Sequence, residues 1–245
     1  MVSALGVFGW ASVTALATGL GAVPFLFVRR MSRLWLGLSN AIAAGFMTAA
    51  SAWLIGEGLL WGPLRTALGV ALGVAFIVAS RRWFSARPDL HMGALRGVDA
   101  ARAMMIVGVM TIHSMSEGVG VGVSFVGGEA LGAFITVAIA VHNVPEGLAI
   151  CLVLIPRGES VGRAAAWSVF SSLPQPLLAV PAFLFVETFE SVLPVGLGFA
   201  AGAMGWMVAS ALVPDAVADA PRKGVAAAFA LSVAAMLAFQ LALRG

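Results

Sequence analysis

Four ionisable residues lie where ionisable residues are rare. His113 and Glu117 fall inside one long apolar stretch, and His142 and Glu146 inside the next. Each pair is spaced i,i+4, so an imidazole and a carboxylate share one helix face about one turn apart. Two facing helices of this kind would offer two nitrogens and two carboxylates to a single cation. That donor set suits zinc, iron, cobalt, nickel or manganese and does not suit copper(I) or a thiolate centre. A divalent ion would also offset the two negative charges. One such pair would read as a buried His–Glu hydrogen bond holding two helices together. Two pairs of identical spacing, followed by Gly118 and Gly147, favour a functional site, with a metal-free proton relay as the alternative.

The elements that must position these residues are written in the composition. Hydrophobic residues make up 61% of the 245-residue chain and charged residues 10%, against about 25% charged in a soluble domain. Apolar segments at roughly 3–28, 34–56, 64–80, 101–123, 130–154, 163–186, 191–213 and 224–243 mostly reach the ~20 residues that cross a bilayer as a helix. The expected fold is therefore an all-α polytopic membrane protein of eight transmembrane helices, in one domain spanning 1–245. Trp35, Trp61, Trp83 and Trp167 fall near segment ends, as interfacial anchors do. The pI near 10.4 reflects arginines at segment ends facing lipid headgroups, and no nucleic-acid partner is expected. The single cysteine, Cys151, excludes a disulfide framework and a cysteine metal cluster. Without a P-loop, ATP is not expected; without His-Glu-x-x-His, neither is an intramembrane metalloprotease, so the chain is read as no enzyme.

Basic residues set the expected orientation. Arg29, Arg30 and Arg33, then Arg81, Arg82, Arg87 and Arg96, then Arg157 and Arg163, then Arg222 and Lys223 occupy alternate loops. Those loops are predicted cytoplasmic, with both termini outside and the chain in the cell's inner (cytoplasmic) membrane; Arg244 is the lone exception. Glu57, Glu129, Glu187 and Glu190 lie on the other side. Two internal echoes suggest an inverted repeat. Ala43-Ala44-Gly45-Phe46-Met47 is answered by Ala200-Ala201-Gly202-Ala203-Met204, and the His113 motif by the His142 motif. Met47, Ser51, Met204 and Ser210 are candidate pathway-lining residues. Pro174 and Pro176 should break the sixth segment and leave Gln175 best placed to reach a cavity.

His142-Asn143-Val144-Pro145-Glu146-Gly147 resembles the fifth-helix signature of the ZIP metal transporters, especially their prokaryotic ZupT/GufA-like branch. The fourth-helix motif, the small-residue stretches around Met47 and Met204, and the eight-helix layout extend the likeness over nearly the whole chain. The resemblance implies a 3+2+3 bundle, commonly a homodimer, that carries a divalent metal, zinc foremost, towards the cytoplasm. No cofactor is implied beyond the transported ion. Carried over by position, His113, Glu117, His142 and Glu146 would form the primary site, with Ser114, Asn143 and Gln175 around a second, adjacent metal. The chain departs from the pattern there. The fourth helix usually reads His-Asn-x-Pro-Glu-Gly, where this one has Ser114 and Ser116, and the sixth usually offers a glutamate in place of Gln175. With fewer negative ligands, the second site is expected to be weak or absent. Two rival functions are a proton-coupled permease for a small organic solute and a non-transporting membrane metal sensor.

Overall fold

The computed structural model describes residues 2–28, 32–85 and 98–244, in which every regular element is a helix. Arg29, Arg30, Arg87 and Arg96, on which part of the orientation rests, lie outside the described residues.

The described residues form eight helical stretches. α1 (Ala4–Leu26) starts at Ser3, whose hydroxyl accepts the Gly6 N–H at 3.2 Å, and tightens into a 3-10 helix from Leu20 around Pro24. α2 (Arg33–Trp61) is capped in the same way by Ser32. Gly62 separates it from α3 (Pro63–Ser85), which opens on a proline where a missing N–H costs nothing. α4 (Val98–Val126) and α5 (Glu129–Leu154) are joined only by Gly127 and Gly128, which makes them antiparallel neighbours. Gly128 turns at φ 128°, a conformation that side chains rarely adopt.

α6 (Val161–Thr188) is two helices in line, Val161–Ser172 and Pro174–Thr188. The break falls at Leu173, because Pro174 has no N–H to give the preceding turn; Leu173 itself keeps helical angles, φ −56° and ψ −31°. α7 (Glu190–Asp219) was expected to end by Pro214 but continues past it. A π turn at Val208–Leu212 widens the helix just before the proline and absorbs the lost hydrogen bond. α8 (Arg222–Arg244) closes the chain. α2 likewise outruns its apolar segment, running through Glu57 to Trp61, about a turn beyond the predicted end.

Among the described residues, seven of these stretches are long and apolar enough to cross a bilayer, and α4, at 29 residues, matches the length of α2. Leu64, Leu68 and Leu72 of α3 and Leu231, Leu237 and Leu241 of α8 are exposed, as lipid-facing residues are. The chain is an all-α polytopic membrane protein.

The helices pack as two groups. α1, α4, α5 and α6 lie against one another; in the second group α2 and α7 pack together, with α3 against α7 and α8 against α2. Between the groups, α2 rests on α5 as α7 rests on α4, the relation expected of an inverted repeat. α3 and α7 pack closely through glycines on both. A side chain at Gly69 or Gly73 would collide with the α7 backbone, and one at Gly198 or Gly202 with the α3 backbone.

Candidate metal centre

His113 and Glu117 face inward from α4, and His142 and Glu146 from α5. One ligand atom of each lies within 4.8 Å of the others, and all four residues are buried. Glu117 is the hub. Its Oε1 is 3.2 Å from His113 Nε2 and 3.3 Å from His142 Nε2. Glu146 Oε2 stands farther off, 3.9 Å from His142 Nε2. The two imidazoles meet edge to face with centroids 5.8 Å apart.

These spacings can be compared with coordination geometry. Ligands ~2.0–2.1 Å from one tetrahedral zinc are about 3.3 Å from one another. The contacts from Glu117 to both imidazoles already have that edge length, while Glu146 must move inward by about half an ångström or more to close the set. Glu117 Oε1 is shared between the two imidazoles, whereas both oxygens of Glu146, His142 Nδ1 and the Ser114 hydroxyl make no hydrogen bond. Buried polar atoms in such numbers normally find partners. Their convergence fits a cation better than it fits a pair of interhelical hydrogen bonds.

The remaining oxygen of Glu117 is engaged from α6. Gln175 Nε2 donates to Glu117 Oε2 at 2.6 Å. Gln175 Oε1 in turn accepts from the Thr14 hydroxyl at 2.5 Å and from Asn143 Nδ2 at 3.0 Å. The three residues carried over to a second metal are thus only partly brought together. Asn143 and Gln175 hydrogen-bond to each other, while Ser114 is fully buried with no hydrogen-bond partner. Ser116 returns its hydroxyl to the His113 carbonyl in its own helix at 2.7 Å.

The glycine after each carboxylate has a geometric role. A Cβ on Gly118 would press on the backbone of Gln175 and Pro174, so its absence lets α6 reach Glu117. A Cβ on Gly147 would overlap the Thr18 carbonyl, so its absence lets α1 lie against α5. α1 was not expected at the site, yet Thr14 belongs to its hydrogen-bond network. The available signal was Thr14 and Thr18, one turn apart in a span whose one other hydroxyl residue is Ser12. Of the candidate pathway residues, Met47 and Met204 are buried in one apolar core, Ser51 is buried in α2, and Ser210 sits in the π turn of α7.

The chain is 47% identical over 225 residues to an Arabidopsis thaliana protein proposed as a zinc transporter; the match covers 91% of this chain and 36% of that protein, so this chain spans well under half of the relative. It is 34% identical over 218 residues to the zinc transporter GufA of Myxococcus xanthus, covering 81% of this chain and 84% of the relative. With the zinc transporter ZIPB of Bordetella bronchiseptica it shares 32% identity over 213 residues, 81% of this chain and 69% of the relative. No family model matches the chain. Two relatives more than 30% identical and matched over more than two thirds of their own length establish the kinship that the paired histidine motifs suggested: the chain belongs to the ZIP family of divalent metal transporters.

Proposed function

We propose that this chain moves a divalent metal cation, zinc foremost, across the membrane towards the cytoplasm. It acts as one transmembrane unit over residues 1–245, and one ion is bound by His113, Glu117, His142 and Glu146. The observation that carries this reading is the convergence of two imidazoles and two carboxylates within 4.8 Å, buried between α4 and α5. Ionisable groups at such depth are costly and mark ion pathways. The zinc-transporter names of the relatives add to it; the solute-permease and sensor alternatives are not favoured.

In the proposed cycle a partly dehydrated ion enters from the acidic-loop side, past Met47, Ser51, Met204 and Ser210. It is held by the four ligands, and the protein rocks to release it on the basic-loop side. No bond is made or broken, so the protein is no enzyme, and neither ATP nor nucleic acid takes part. The protein works as a homodimer in the inner membrane with both termini outside, an orientation supported by the alternation of basic loops. Zinc, cobalt, cadmium, iron(II) and manganese uptake into proteoliposomes loaded with a metal-sensitive dye tests the proposal. Saturable flux that Glu117→Ala and His142→Ala abolish is expected. Folded, correctly reconstituted protein that moves none of these metals would sink it.

A further inference from the structure

The amides beside the metal centre form a chain with a direction, and a backbone carbonyl sets that direction. The Thr14 C=O can only accept, and Asn143 Nδ2 donates to it at 2.7 Å. The Asn143 nitrogen is thereby fixed towards α1, and its second N–H reaches Gln175 Oε1 at 3.0 Å. Gln175 must then present its own nitrogen to Glu117 Oε2, as it does at 2.6 Å. The Thr14 hydroxyl lies against the same Gln175 oxygen but has one proton to share between it and the Ala11 carbonyl, 2.7 Å away, so the direction is set by the Thr14 carbonyl and not by the hydroxyl. Turning Gln175 over would set its nitrogen against the Asn143 N–H and its oxygen against a carboxylate. Thr14, Asn143, Gln175 and Glu117 are all fully buried, so no water relaxes these demands.

We infer that Asn143 is a positioning residue: oriented by the Thr14 carbonyl, it turns the Gln175 amide so that a neutral N–H, in place of a second cation, faces Glu117. The inference rests on the metal-site reading above and specifies it further. Glu117 Oε2 is engaged by a charge-assisted hydrogen bond, which leaves Oε1, the atom facing both imidazoles, as the better-placed oxygen for the ion. The site then holds one ion per chain, with Glu117 as a one-oxygen ligand.

The order of the chain can be reversed by changes that barely alter shape. Gln175→Glu removes the donor and sets two carboxylate oxygens against each other, a pair that in a buried site calls for a cation between them. Asn143→Asp removes the donor to Gln175 and draws the Gln175 nitrogen towards the new carboxylate, which uncovers Glu117 Oε2.

The test is the number of zinc ions bound at equilibrium by purified, detergent-solubilised protein, with folding checked by circular dichroism and gel filtration. One ion per chain is expected for the wild type and two for Gln175→Glu and for Asn143→Asp. A residue that merely supported the helices would not change this count. Two ions in the wild type would overturn the inference without recourse to any variant. One ion in all three proteins, with unchanged affinity, would overturn it while leaving the metal site standing. Folded wild type that binds no zinc would overturn the metal-site reading itself. Should Gln175→Glu fail to fold, Asn143→Asp puts the same question.

Discussion

Glu117 and Glu146 hold the same place in matching motifs, yet their surroundings differ. Glu117 touches both imidazoles and accepts a hydrogen bond from Gln175, so both of its oxygens are directed. Glu146 stands farther off, 3.9 Å from His142 Nε2, and makes no hydrogen bond. The difference follows from what packs behind each helix. α6 brings an amide against Glu117 across Gly118, whereas α1 brings a backbone carbonyl against Gly147. The α4 half of the site is therefore built in advance and the α5 half is left adjustable. A carrier has use for such a division, because a ligand set rigid on every side would bind its ion well and release it poorly. In this account Glu117 holds the place of the ion and Glu146 closes on it.

The sharpest way to break the comparison is Glu117→Ala, which removes the hub. Uptake should fall by at least about 100-fold, since even residues behind a ligand cost 10–100-fold; dye-reported flux in proteoliposomes measures it. Next, Gly118→Leu and Gly147→Val should each separate a supporting helix from the site. Overpacking of this kind costs about 1–3 kcal/mol, visible as a lower thermal midpoint together with lost flux. Glu146→Gln should be milder. It keeps the shape and one ligand oxygen, so zinc affinity should fall about tenfold, roughly 1.4 kcal/mol, with flux recovered at higher zinc. Equal losses for Glu117→Gln and Glu146→Gln in titration calorimetry would contradict the division between the two halves. The smallest effect is expected for Ser116→Ala, because that hydroxyl serves only its own helix; stability should shift by less than about 0.5 kcal/mol, with flux unchanged.

Much of the architecture was legible in the sequence, because lipid leaves few options for an apolar chain with most of its charges near segment ends. The paired spacing of His113–Glu117 and His142–Glu146 likewise pointed to one face on each of two helices, and in the fold those faces meet. The proline break in α6 was visible, since Pro174 acts locally. Where hydropathy was the guide, helix ends were cut short. Backbone hydrogen bonding carries α2 past Glu57 to Trp61 and α7 past Pro214 to Asp219, indifferent to where the apolar residues stop. The part played by α1 was not legible. Thr14 lies 129 residues from Asn143 and 161 from Gln175 in the chain, and no local pattern announces a contact that the fold alone creates. For Met47 and Met204 the sequence does not discriminate, because a methionine on a pathway and a methionine in a core read alike.

The central claim is that one ion sits among His113, Glu117, His142 and Glu146. The most direct measurement is zinc K-edge X-ray absorption on the zinc-loaded protein. The account predicts a shell of nitrogen and oxygen at about 2.0–2.1 Å with the scattering signature of two imidazoles and no sulfur. A sulfur shell near 2.3 Å, or a spectrum without imidazole, would place the metal elsewhere and contradict it.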